Sequence, residues 1–194
     1  MAQTRDDWVL GYVDEVWWSR FAQPAMHAWT STGEALRLVS RTRKKEDEEP
    51  KALSCYGVLF DEADGAEMLL RFVKGRPVSH VTTAFLDWGV ERLAARGKRV
   101  WALVWDNASW HISQAVKGWI KAHNRKAKRE GGVRIITCEL PVKSPWLNPI
   151  EPKWLHGKRA ICEPDGELTV AEVMERVCAH YGCELLDPIA QKTS

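Results

Sequence analysis

Six consecutive residues, VWALVW (100–105), are apolar without alternation, as in a strand covered on both faces. Such a strand needs other elements above and below it, so the chain has to build a layered structure around it. The flanking patterns provide those layers. Val81, Ala84, Phe85 and Trp88 recur at i, i+3, i+4 and i+7, and Gly97 is a stop, which predicts a helix over 80–96. Val116, Trp119 and Ile120 mark a second helix from about Ser113 to Gly131-Gly132. VRIITCEL (133–140) reads as another buried strand and IEPKWLHGKRA (150–160) as a helix, with Pro152 tolerated in its first turn. Thr169 and Glu172 form a T-x-x-E capping box ahead of Val170, Val173, Val177 and Tyr181, and Gly182 ends that helix.

The first third of the chain has a different period. Residues 8–18, 25–31, 53–60 and 67–73 read as strands of an antiparallel meander, and RTRKKEDEEP (41–50) as a solvent-facing loop. Strands first and helix–strand alternation afterwards make an α/β chain: a mixed sheet with helices on its faces. At 194 residues, against about 150 per domain, one domain is expected. With 45% hydrophobic and 28% charged residues the chain is neither collagen-like, disordered nor a coiled coil. Charges interrupt every apolar window, so no membrane span and no membrane partner are expected. The polar, acidic start argues against a signal peptide, and five cysteines in no framework spacing suit a reduced, cytoplasmic setting.

Three acids stand where a sheet of this kind places its sites. Asp14 interrupts the first apolar strand, where a charge costs several kcal/mol unless it is paired or binds a metal. Alternation sends its neighbour Glu15 to the opposite face. Asp106 ends VWALVW, and Glu151 starts a helix, at the positive end of its dipole. Carboxylates so arranged suit two Mg²⁺ or Mn²⁺ ions about 3.5–4 Å apart. By spacing alone, a turn-forming Asp and an ordinary first-turn Glu explain them equally well.

Charge is segregated although the net charge is only +2. Lys117, Lys121, Arg125, Lys126, Lys128, Arg129 and Arg134 face one acid, Glu130, in that stretch. All of these but Arg134, with Lys143, Lys153, Lys158 and Arg159, are candidates for phosphate contacts, although a solvated face describes the 117–129 set slightly better. A zinc site from Cys162, Cys178, His180 and Cys183 is the rival metal reading. Its spacing is poor, and Cys178 belongs to an amphipathic helix, so small buried hydrophobes describe these thiols better.

VWDNASWH (104–111) and PVKSPWLNPIEPKW (141–154) resemble the DNA-x-x-H and SP-x-LNPIE-x-x-W blocks of DDE transposases, in particular the IS630 group of the Tc1/mariner superfamily. GYVDE (11–15) resembles that group's first-strand Asp-Glu, and W-x-x-x-G (29–33) is a weaker echo. The resemblance implies an RNase H-like fold with a mixed five-stranded sheet, strands 1–3 antiparallel and helices on both faces. It makes Asp14, Asp106 and Glu151 the catalytic, metal-binding triad. Asn107 and His111 then shape the loop or touch phosphate, and Asn148 with Pro149 aims Glu151. It further implies two Mg²⁺ (or Mn²⁺) ions, cleavage of phosphodiester bonds at transposon ends, 3′-hydroxyl strand transfer at TA steps, double-stranded DNA as partner, and a homodimer at the nucleoid.

Two features depart from the pattern. The spacer between Asp106 and Glu151 is 44 residues, longer than is usual. Only 13 residues precede Asp14, where the family carries helix-turn-helix modules. The expectation is a catalytic domain over 1–194, standing alone, excised, or the second product of a split frame. An RNase H-like nuclease without strand transfer, and a silent DNA-binding remnant, are the alternatives.

Overall fold

The computed structural model describes residues 5–21, 27–29, 35–37, 46–62, 65–161 and 167–190. Four strands open the chain: β1 (Trp8–Ser19), the short pair β2 (His27–Trp29) and β3 (Ala35–Arg37), and β4 (Ala52–Glu62). Then come β5 (Gly65–Lys74), α1 (Ser79–Ala95), β6 (Val100–Trp105), α2 (Gln114–Glu130) and β7 (Arg134–Glu139). A 3-10 turn at Pro145–Leu147 leads to α3 (Glu151–Ile161), α4 (Val170–Tyr181) and β8 (Ile189–Ala190).

The main sheet runs β7-β6-β1-β4-β5-β8. β1, β4 and β5 are antiparallel neighbours, whereas β6 pairs parallel with both β1 and β7. Five of these strands are the expected mixed sheet, and the two-residue β8 adds a sixth beside β5. Residues 27–29 do not join it: they pair with 35–37 in a separate two-stranded ribbon, so the meander is β1–β4–β5. Gly33, residues 41–45 and Cys162 lie outside the described residues.

Strand alternation divides the interior into two cores. Val9 and Val13 of β1 and Tyr56, Val58 and Phe60 of β4 pack with α1 and with Val116 of α2. Val16 and Trp18, with Leu53, Cys55 and Leu59, face the other way and pack with α3 and α4. Helices therefore cover both faces. Trp101 and Trp105 are core residues, as their spacing suggests, and Cys178 is buried in the second core.

Local signals end the helices where expected. Ser113 Oγ accepts from Val116 N at the start of α2, and Gly131, at φ 76°, closes it. Thr169 and Glu172 form the reciprocal capping box of α4. One strand departs from its sequence pattern. β7 is apolar in sequence but sits at the sheet edge, and of its six residues only Ile135 is buried. Residues 46–50 are also less free than a solvent loop: buried Arg20 donates to Asp47 Oδ2 at 2.8 Å and lies 3.0 Å from Glu49. Among the described residues no helix is long and apolar enough to cross a membrane.

Candidate active site

The parallel pairing of β1 with β6 runs from Trp8↔Val100 to Tyr12↔Val104. Continued by two residues, that register brings Asp14 level with Asp106. Glu151 arrives from the far side of the sheet order as the first residue of α3, after the turn Pro145–Leu147. All three carboxylates line one cleft of about 290 Å³, together with Asn107, Lys143 and Asn148. The acids read from the sequence are thus brought together, although among the described residues no three His, Cys, Asp or Glu side chains converge as a ready-made metal cluster.

Each acid is held differently. Trp154 Nε1 donates to Asp14 Oδ2 at 2.9 Å. Burial, then the charges of Glu15 and Glu151, raise the Asp14 carboxyl to about 7, against the Trp154 hydrogen bond. Asp106 Oδ1 accepts from Ala108 N at 2.9 Å and from His111 Nδ1 at 2.8 Å. The His111 bond, foremost, holds Asp106 below the usual carboxylate range. Both bonds land on Oδ1, which leaves Oδ2 for a ligand. Partial burial, then the charge of Asp106, raises Glu151, and Lys158 works in the opposite direction.

The supporting residues divide by exposure. His111 is fully buried and stacked on Trp105, their ring centroids 4.6 Å apart. Its Nε2 donates to Glu15 Oε1 at 2.7 Å, and Trp110 Nε1 donates to the same oxygen at 3.1 Å. Burial alone would lower the imidazole; the hydrogen bonds to Asp106 and Glu15 outweigh it and raise His111 to about 9. A doubly donating imidazolium therefore links Glu15 to Asp106. Asn107 Nδ2 donates to Leu140 O at 2.6 Å, tying the loop after β6 to the end of β7. Asn148 O accepts from Glu151 N at 3.1 Å, at the start of α3.

Strand alternation points Glu15 away from Asp14, which on sequence grounds removes it from the site. It does point away, yet it reaches the site from behind through His111. The signal is present in the adjacent VDE and DNA-x-x-H words, but nothing local says that they touch. Trp146, 76% exposed on the 3-10 turn beside the cleft, is a second residue that sequence reasoning passes over.

The candidate phosphate contacts separate into groups. Lys117, Lys121, Arg125 and Lys128 face a second depression between α2 and β7, while Lys126 and Arg129 lie 4.0 Å from Glu130. Lys143 lines the carboxylate cleft with φ 60°, and Lys153, Lys158 and Arg159 are exposed on α3.

A divalent cation fits the donor set. The cleft gathers oxygen donors, as hard cations require, and Asp14, raised to about 7 first by burial and then by the charges of Glu15 and Glu151, is a carboxylate that a bound cation would help to ionise. Asn148 Oδ1 is buried there with no hydrogen-bond partner among the described residues.

Comparison with known proteins agrees with this architecture. The chain superposes on the Mos1 transposase paired-end complex with left transposon end with a TM-score of 0.56 at 15% identity, over 89% of this chain and 47% of that one. The Mos1 Strand Transfer Complex gives 0.58 at 15% identity, over 89% and 47%. The Mos1 mariner paired end complex with Mn gives 0.55 at 15%, over 89% and 48%. The chain thus spans about half the length of the solved proteins it matches, and at this identity the likeness shows the fold, which is RNase H-like. No curated protein matches the chain. The family described as DDE superfamily endonuclease matches residues 10–165, a span that includes all three acids, and the chain belongs to that family.

Proposed function

We propose that residues 1–194 act as the catalytic domain of a DDE transposase, cutting DNA phosphodiester bonds at transposon ends and transferring the 3′-hydroxyl to target DNA. One observation carries the reading: Asp14, Asp106 and Glu151, from a strand, a strand end and a helix start, line the same cleft. These three would hold two Mg²⁺ or Mn²⁺ ions. When bound, the ions supply activation of the attacking oxygen and stabilisation of the leaving one.

The chain's own residues prepare that site. His111 and Ala108 N fix Asp106 through one oxygen, Trp154 fixes Asp14, and Asn148 fixes the start of α3. Lys143, on the cleft wall, meets the phosphate of the strand being cut. The solved relatives are named as paired-end and strand-transfer complexes; the matching proposal here is a homodimer working on double-stranded DNA at the nucleoid, in the cytoplasm.

Asp106→Asn and Glu151→Gln test the assignment. Each is expected to abolish Mg²⁺-dependent nicking of plasmid DNA and to weaken Mn²⁺ binding by calorimetry, with circular dichroism unchanged. A variant that cut DNA as well as the parent would remove its residue from the triad. Supplying pre-cut ends with a target duplex separates strand transfer from simple nuclease action, and a parent that neither binds Mn²⁺ nor cuts is a silent remnant.

A further inference from the structure

A second depression, of about 580 Å³, lies between α2 and the edge strand β7. Its walls carry Lys117, Lys121, Arg125 and Lys128 from α2 and Arg134 from β7, against a single carboxylate, Glu139. The helical four recur at i, i+4, i+8 and i+11, which is one face of α2. Lys117 lies 3.8 Å from Glu139. Among the described residues no carboxylate pairs with Lys121, Arg125, Lys128 or Arg134.

The other wall adds backbone donors. Arg134 N donates to Arg99 O and Leu140 N to Trp105 O, so these residues face β6. Alternation turns the amides of Ile135, Thr137 and Glu139 outward, toward the depression. Asn124 occupies the first of them: its Nδ2 donates to Ile135 O at 2.7 Å and its Oδ1 accepts from Ile135 N at 2.8 Å. The amides of Thr137 and Glu139 remain as donors along the groove.

These features select an occupant. A strand from a second copy cannot add to β7 at Ile135, because Asn124 already fills that position, and the same five cations would repel a matching face. A polyanion satisfies both the side chains and the amides. β7 has six residues and runs about 20 Å, roughly half a turn of duplex. The groove reaches Trp105 and His111 behind Asp106, and Leu140, next after Glu139, lines the carboxylate cleft. One duplex can therefore lie along both.

We propose that the α2–β7 groove is a second DNA site, holding the sugar–phosphate backbone of the duplex that flanks the bond presented to the carboxylate cleft. The inference rests on the reading that this chain works on DNA. Contacts of this kind position the duplex without reading its sequence.

The test is binding of a fluorescein-labelled, random-sequence duplex by anisotropy across a salt series, without divalent metal and on an Asp106→Asn background so that nothing is cut. The groove variant adds Lys121→Ser, Arg125→Ser, Lys128→Ser and Arg134→Ser. A control adds Lys51→Ser and Lys74→Ser, exposed beside β4 and at the end of β5 and lining neither cleft. Loss of four phosphate contacts should make the log–log salt slope shallower by about 3–4 and weaken low-salt binding at least about tenfold. The control should keep the background slope. If the fourfold variant fails to fold, Lys121→Ser with Lys128→Ser alone should give about half the change in slope. Equal slopes in groove variant and control would overturn the groove while leaving the DNA reading intact. A chain that cuts DNA with its groove variant binding unchanged would overturn the groove in the same way. No salt-dependent binding by the background protein would overturn both.

Discussion

Glu15 and His111, 96 residues apart in sequence, meet at 2.7 Å beneath the site. The same imidazole holds Asp106 at 2.8 Å, so the carboxylate of β1 that faces away from the cleft holds the carboxylate just after β6 that lines it. His111 is fully buried and the Glu15 side chain is 7% exposed. Removing one partner would leave the other charge stranded in the interior.

That link gives stability a pH dependence. His111 is raised to about 9 in the folded protein, above its ordinary 6.5. A raised imidazole stabilises fully below about 6.5, and the contribution disappears as pH climbs through about 9. The thermal midpoint should therefore fall between pH 6.5 and 9. In Glu15→Gln the His111 midpoint, followed by NMR, should drop and the fall in stability should shift to lower pH. A His111 that still titrates near 9 in this variant would sink the link.

Asp14 behaves in the opposite setting. Burial, then Glu15 and Glu151, raise its carboxyl from 3.8 to about 7. The folded protein holds a proton that the unfolded chain has already released, so metal-free stability falls as pH rises from about 4 to about 7. Asp14→Asn keeps an oxygen for Trp154 and removes the charge. Its thermal midpoint at pH 7.5 should exceed the parent's by about 2–4 °C, the equivalent of about 1 kcal/mol in a chain this size. The two curves should converge near pH 4. Divergence there would mean a cause other than ionisation.

Gly57 lies opposite Asp14 in the β1–β4 pairing, and a Cβ added to it would run into the Trp154 ring. Gly57→Ala should push Trp154 off Asp14 and cost about 1–3 kcal/mol in denaturant unfolding. DNA cleavage should fall with it. An unchanged unfolding midpoint would show that Trp154 has room to move.

Arg20, 3% exposed, donates to Leu168 O at 2.7 Å as well as to Asp47, and so joins the end of β1 to the approach to α4. Arg20→Met should cost about 3 kcal/mol, because the acids it serves are only partly able to reach water. Chemical denaturation at pH 7 reads it directly, and a loss below about 1 kcal/mol would mean that the bridging is dispensable.

Much of this arrangement is legible from neighbouring residues. Short apolar, β-prone runs mark β1, β4, β5 and β6, and a 3.6-residue repeat of apolar side chains marks α1, α2 and α4, because both signals fit within a short window. Caps are legible for the same reason: Thr169 with Glu172 satisfies amides within four residues. The acids are legible as words, Asp106 at a strand end and Glu151 after LNPI. What such windows do not carry is what lies beyond an element. VRIITC has the composition of a covered strand, yet β7 is an edge, since among the described residues no further strand pairs with it. Residues 27–29 have strand character without a place in the main sheet, and Ile189–Ala190 is too short to show any period.

The sequence alone thus determined most of the elements and their order, which are properties of local spacing, and singled out the three cleft acids through the family words around them. Only the tertiary structure decided which groups meet: the β1–β6 register that levels Asp14 with Asp106, the Glu15–His111 contact behind them, and the cationic groove that α2 makes with β7. These depend on pairing between segments dozens of residues apart. Such pairing is selected by the burial of whole faces, and no single window of sequence contains it.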